Sequence, residues 1–111
     1  MSEVIVVSSF RRAAKPLLKK YPSLKAEIEA LIDLLEVDPV QGTFLGRNCY
    51  KIRIAISSKG KGKSGGARVI TYFQIVEDTV HLLTIYDKSE RENLPDHELD
   101  EVLRAAGLFP E

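Results

Sequence analysis

Seven basic residues lie close together in the middle of the chain, where they could bind phosphate. Residues 39–76 contain no Asp or Glu. The basic residues of this segment are Arg47, Lys51, Arg53, Lys59, Lys61, Lys63 and Arg68. The whole chain has 16 basic and 16 acidic residues, so the rest of it carries the balancing excess of negative charge. A cluster of Lys and Arg attracts polyanions whatever the net charge. The segment therefore predicts a phosphate-rich partner or, more simply, a solvated basic face.

Two strands are predicted within this segment. Residues 49–57 place isoleucines on one face and basic residues on the other, and residues 67–76 alternate in the same way. If the apolar faces of both strands meet the helices, four groups gather on the opposite, exposed face: Lys51, Arg53, Arg68 and Tyr72.

The loop between these strands, residues 58–66, reads SKGKGKSGG. Its Gly62-Lys63-Ser64 matches the end of a nucleotide-binding P-loop, but the first glycine of that motif would stand where the chain has Ser57. A P-loop also leads from a strand into a helix, whereas this loop joins two strands. The sequence thus argues against ATP or GTP binding. It leaves a flexible basic flap that grips a nucleic-acid backbone, or a solvated hairpin loop.

The remaining segments predict the elements that position this face. A β-branched strand at residues 3–8 precedes a helix at residues 10–21, which Ser8 or Ser9 could cap and which Pro16 should kink or delay. The other predicted elements are a second helix from Pro22-Ser23 to Asp38-Pro39, a strand at residues 80–86 and a helix at residues 95–106. The 111 residues suit one α+β domain with element order β-α-α-β-β-β-α. We expect an antiparallel sheet of about four strands with helices packed on one face.

Other reactive residue types offer less chemistry. Cys49 is the only cysteine and cannot form an internal disulfide. Of the two histidines, His81 is expected to be partly buried and structural, and His97 to lie on the surface. Asp87 with Glu90 is explained by turn and capping chemistry. We therefore expect no metal and no cofactor. The apolar run at residues 4–7 is too short for a signal peptide or a membrane span, which predicts a soluble cytoplasmic protein.

The stretches CYKIRIAISSKGKGKSGGARVITYF and VHLLTIYDKSERENL resemble the RelE/ParE superfamily of bacterial toxins, and within it the HigB-like toxins with a Gly-Lys flap. The resemblance covers almost the whole chain, including SSFRRAAKPLLKKYPSL and the turn DPVQG. It implies a compact fold like that of microbial RNases and a cognate antitoxin partner, in a possible toxin–antitoxin hetero-oligomer. It also implies metal-independent cleavage of mRNA on the ribosome.

The resemblance also implies which residues act. Lys51 and Arg53 match the paired basic positions of the second family strand, and Arg68 matches the arginine that opens the third. Lys88 matches the lysine after the fourth strand, but the arginine expected next is Ser89, and no tyrosine follows Tyr86. The residues predicted to contact RNA or the ribosome are Lys59, Lys61, Lys63, Lys88 and Tyr86.

Cleavage of RNA by its own 2′-OH needs a base, positive charge on the scissile phosphate and an acid for the leaving oxygen. Arg68 can hold two phosphate oxygens and is the candidate transition-state stabiliser. Lys51 is the candidate base, because the like charges of Arg53 and Arg68 favour loss of its proton. Tyr72 or Tyr86 could stack on a base or donate a proton.

Two other functions compete with this hypothesis. A ParE-like toxin would bind DNA gyrase without chemistry, but such chains generally lack the basic cluster on the sheet. A catalytically silent module would retain the fold and the antitoxin groove, a reading that Ser89 leaves open. The main prediction is a ribosome-dependent mRNA endonuclease, the toxin of a type II toxin–antitoxin pair, with no membrane association.

Overall fold

The computed structural model describes residues 1–60, 62 and 64–108, which form a five-stranded sheet with helices on both faces. The strands are β1 Glu3–Val6, β2 Thr43–Gly46, β3 Cys49–Ile54, β4 Ala67–Gln74 and β5 Thr79–Asp87. The helices are α1 Ser8–Lys20, α2 Leu24–Val37 and α3 Asp96–Ala105, and a single 3-10 turn covers Ser57–Lys59. None of the helices in this part of the chain is long and apolar enough to cross a membrane.

The sheet has the strand order β1-β5-β4-β3-β2. Strands β2 to β5 form an antiparallel meander, whereas β1 pairs in parallel with β5, with Glu3 opposite Thr79. The α+β class is confirmed, but the sheet has five strands rather than about four and is mixed. Strand β2 escaped prediction because it is only four residues long, follows Gly42 and ends at Gly46, and both glycines read as turn residues.

Helices α1 and α2 cover one face of the sheet, as predicted. The inward residues of β3 and β4, such as Ile52, Ile54 and Val69, are buried against them. From the helices, Phe10, Leu17, Leu24, Leu31 and Leu35 complete this core. The apolar alternation of the central strands therefore identifies the correct inner face.

Helix α3 packs on the opposite face, so the prediction that the helices share one face is wrong. Ile70 and Leu83 point away from the main core and are fully buried beneath Leu99 and Leu103 of α3. A sheet with apolar residues on its second face must cover them from water, and α3 does so. That cover leaves only part of the second face open.

Helix α1 begins at Ser8 and runs through Pro16 to Lys20 without a late start. No side chain caps it, because the residue at the N-cap position is the apolar Val7. Ser9 lies within the helix and donates its hydroxyl hydrogen bond to the Leu83 carbonyl, 2.6 Å away. The capping prediction is therefore wrong. The end of α2 at Val37, directly before Asp38-Pro39, is confirmed.

Gly42 is required where the chain enters β2. Its φ is +86°, and a Cβ there would lie 2.2 Å from the Lys51 carbonyl oxygen. We expect Gly42→Ala to lower the free energy of unfolding by more than about 1 kcal/mol. Gly46 has nearly the same φ, +85°, but open space around its Cβ position. Gly46→Ala is thus the matched control in a urea titration, and an equal loss in both variants would contradict a role for close backbone approach.

Candidate functional site

The strand register places Arg53, Arg68 and Tyr86 side by side on three neighbouring strands. Arg53 of β3 is opposite Arg68 of β4, which in turn is opposite Tyr86 of β5. Neighbouring strands are about 4.8 Å apart, so these side chains start as direct neighbours on one face. Lys51 lies two residues before Arg53 on the same face. The predicted placement of Lys51, Arg53 and Arg68 on one face of the sheet is confirmed. We call Arg53, Arg68 and Tyr86 the cross-strand row.

The members of this cluster differ in exposure. Arg53 is exposed, and Lys51 is half-buried with its Nζ 3.2 Å from Asn93 Oδ1. Arg68 is only 3% exposed, although the sequence placed it on an exposed face. Its guanidinium donates to the carbonyl oxygens of Ala67 at 3.1 Å and Ser64 at 3.3 Å. The end of the loop therefore covers Arg68 and fixes its orientation.

Tyr86 closes the row and is buried. Its hydroxyl donates to the Glu92 carbonyl oxygen at 3.3 Å, and the Arg91 guanidinium carbon lies 5.5 Å from its ring centroid. Burial raises the pKa of Tyr86, although the charges of Arg68 and Arg91 oppose this shift. One face of the ring is thus occupied by Arg91 rather than open for a nucleobase.

Tyr72 lies apart from the two arginines. It is four residues beyond Arg68, a separation of about 13 Å along a strand. Its cross-strand neighbours are Cys49 and His81, and its ring meets the His81 ring edge-on at 5.9 Å between centroids. The structure therefore packs Tyr72 against the apolar cluster between the sheet and α3, which we call the second core, and does not bring it together with the cross-strand row.

The two histidines lie where the sequence predicted. His81 is half-buried, and burial lowers its pKa. His97 is exposed at the start of α3. Cys49 is fully buried, and burial raises the pKa of its thiol to about 11, which keeps it protonated.

Lys59 has a different position from the one expected for an RNA-binding lysine. Its side chain is 8% exposed, and its Nζ lies 2.7 Å from Asp87 Oδ1 and 3.3 Å from Ser89 Oγ. Asp87 follows Tyr86 and points to the opposite side of the sheet, toward the end of α1. The ammonium group is therefore directed away from the cross-strand row.

Asp87 is the centre of a buried network that the sequence did not reveal. Its carboxylate accepts hydrogen bonds from Tyr21 Oη at 2.7 Å and from Ser89, whose backbone N lies at 2.9 Å and whose Oγ lies at 2.7 Å. Burial raises the pKa of Asp87, but the hydrogen bonds from Lys59, Ser89 and Tyr21 outweigh it, and the pKa falls well below its ordinary value. We call Tyr21, Lys59, Asp87 and Ser89 the Asp87 network. Its contacts to Ser89 agree with the predicted turn chemistry.

The other predicted contact residues flank the site. Lys88 is partly exposed, with its Nζ 3.5 Å from Glu92 Oε1. Lys61 and Lys63 lie outside the described residues.

Two residues near the row were missed by the sequence reasoning. Arg91 covers the ring of Tyr86 and pairs with Glu98 at 2.9 Å, and Asn93 binds Lys51. Both precede α3 in a segment without strand or helix periodicity. The only available signal was the presence of a basic and an amide side chain soon after a strand.

Comparisons with known proteins identify a family and a shared fold. Residues 8–110 match the family model described as the RelE toxin of the RelE/RelB toxin–antitoxin system. A structure of the E. coli toxin RelE in the free state, carrying two arginine-to-alanine mutations, shares the fold. The TM-score is 0.56 at 15% sequence identity, covering 82% of this chain and 87% of that one.

Proposed function

Because the chain belongs to the RelE toxin family of toxin–antitoxin systems, we propose that it is a ribosome-dependent endoribonuclease that cuts mRNA without a metal ion. Family membership implies an antitoxin partner. Assignment to the HigB-like subgroup and a cytoplasmic location stay predictions.

The observation that carries this proposal is the direct pairing of Arg53 with Arg68 across two strands. Like charges directly opposite each other in a sheet reduce stability. A phosphate that displaces the Ser64 carbonyl from the Arg68 guanidinium would offset this repulsion and accept hydrogen bonds from both arginines. The pair therefore suits the binding of a phosphodiester.

The arrangement supports the following reaction. Lys51, as the free amine, takes the proton of the 2′-OH, and the 2′-oxygen forms a bond to phosphorus as the bond to the 5′-oxygen breaks. Arg68 stabilises the extra negative charge on the phosphate, and Arg53 holds the phosphate from the exposed side. The leaving 5′-oxygen gains a proton, for which Tyr86 is the nearer of the two tyrosines. Tyr72 is better placed to support the second core.

The decisive experiment compares ribosome-bound and naked mRNA. The protein is incubated with programmed ribosomes or with free transcript, and the new 5′ ends are mapped. We expect cleavage within the ribosome-bound codons and little cleavage of free transcript. Absence of cleavage in both would favour the gyrase-binding or the silent hypothesis.

Binding to RNA should weaken as salt is raised, because the cations release counterions from the phosphates they contact. If Lys51, Arg53 and Arg68 each contact one phosphate, the slope of log K against log salt should be about −2. Arg53→Ala should make this slope shallower by about 0.7. Arg12→Ala, an exposed arginine on α1, serves as the charge-matched control. A slope unaffected by Arg53→Ala would place RNA elsewhere.

A further inference from the structure

We propose that Lys59 and Asp87 form a positioning ion pair, called the latch below, which holds the two ends of the loop between β3 and β4, at residue 59 and at residues 64–66, and the end of β5 in the arrangement that RNA binding requires. This inference rests on the proposed function, since it assigns Lys59 and Asp87 a role in that site. Lys59 acts through Asp87 rather than by touching RNA.

The first support is the separation of the latch from solvent. The Lys59 side chain is 8% exposed and that of Asp87 is fully buried, with 2.7 Å between Nζ and Oδ1. The Lys59 ammonium also lies 5.5 Å from the Tyr21 ring centroid. A phosphate could not reach this ammonium without breaking the ion pair.

The second support is what the latch connects. Tyr21 belongs to the end of α1, Lys59 to the start of the loop, and Asp87 to the end of β5. The far end of the loop is attached to the same region, because Gly66 accepts a hydrogen bond from the Lys88 amide at 3.0 Å, while Ser64 accepts from Arg68. Both ends of the loop are therefore fixed at the end of the sheet where the cross-strand row lies.

The third support is the free-energy cost of burying the Lys59–Asp87 ion pair. Removing two charges from water is unfavourable, and apolar residues of similar size would often be as stable. What the ion pair contributes instead is specificity, because it defines one geometry where apolar packing allows several. Here the defined geometry is that of Tyr86 and Lys88, which flank Asp87 directly.

The test compares variants that change the net charge in opposite directions, because Lys59→Met removes a positive charge and Asp87→Asn removes a negative one. Lys59→Met, Asp87→Asn, the double variant and Tyr21→Phe are compared in the full chain, with folding checked by circular dichroism. Lys20→Met is the control, because Lys20 also lies beside the Tyr21 ring but is exposed. Binding is measured by anisotropy of a fluorescent single-stranded RNA, and cleavage in single turnover on saturating programmed ribosomes.

Removing the negative charge of Asp87 should tighten RNA binding if charge alone matters. The latch predicts the opposite, namely binding weaker by about tenfold in Asp87→Asn and a similar loss in Lys59→Met. The double variant should bind RNA no more weakly than the weaker-binding single variant, because each single substitution already removes the same interaction. Lys20→Met should bind almost as the wild type does.

Weaker binding by Lys59→Met together with unchanged or tighter binding by Asp87→Asn would overturn the latch and make Lys59 a direct contact. If Asp87→Asn does not fold, Tyr21→Phe decides: weaker binding supports the latch and unchanged binding overturns it. Failure of the wild type to cut mRNA would refute the proposed nuclease activity. The role of the latch would still be tested, because RNA binding is measured separately by anisotropy.

Discussion

Replacing Arg68 by alanine is expected to lower the single-turnover rate of mRNA cleavage by about a hundredfold or more. The Ser64 and Ala67 carbonyl groups hold the guanidinium in a fixed orientation. A preorganised charge stabilises a transition state without having to reorganise during the reaction, so its removal acts on the chemical step. The loss should therefore persist at saturating ribosome concentration.

Two further variants separate chemistry from folding. Because Arg68 is buried, Arg68→Ala should also reduce stability, and its thermal midpoint must be measured beside its rate. Arg68→Lys retains the charge but cannot hold two phosphate oxygens, so we expect an intermediate rate. Arg12→Ala should cut normally. Wild-type cleavage by folded Arg68→Ala would place the active site elsewhere.

Asp87→Asn should destabilise the protein more than Arg68→Ala, Lys59→Met or Tyr21→Phe, with a loss of about 3 kcal/mol or more. The change leaves the Lys59 ammonium in a largely buried position without its counter-charge. Asp33→Asn, an exposed aspartate on α2, is the control and should change stability little. Denaturant unfolding at neutral pH measures the free energy of unfolding of both variants. Equal values would show that the ion pair makes no net contribution to stability.

The same network predicts an acid dependence. The folded-state pKa of Asp87 is lower than its ordinary value, so its contribution to stability is complete above the unfolded-state pKa of about 3.9. That contribution is lost as the pH falls further toward the folded-state pKa. The stability difference between the wild type and Asp87→Asn should therefore shrink below about pH 4. A difference that grows with acid would contradict the ionised state of Asp87.

The sequence predicted strands β3 and β4 well, because the alternation of apolar and polar residues there allows only one assignment of their faces. Isoleucines at 52 and 54 had to face the helices, which forced Lys51 and Arg53 to the other side. Alternation says nothing, however, about what covers the second face. The burial of Arg68 depends on the loop end, whose irregular backbone carries no periodic signal in the sequence.

Lys59 shows a different limit of sequence reasoning. In the sequence it is one of three lysines in a glycine-rich loop, and composition alone makes them equivalent. Only the fold brings Lys59 within 2.7 Å of Asp87, which lies 28 residues away. A carboxylate at the end of a strand reads as a turn residue, so its second role as a buried ion-pair partner left no local pattern.

The parallel pairing of β1 with β5 has a consequence for the order of folding. Glu3 and Val6 bond to a strand that begins 76 residues later, at Thr79. Contacts between such distant residues carry a large loop-closure entropy and form slowly. During synthesis from the N-terminus, β1 must wait without its neighbour until most of the chain has been made. Strand β1 is thus synthesised well before it can reach its native pairing, and the nascent chain cannot complete this sheet until β5 has left the ribosomal exit tunnel.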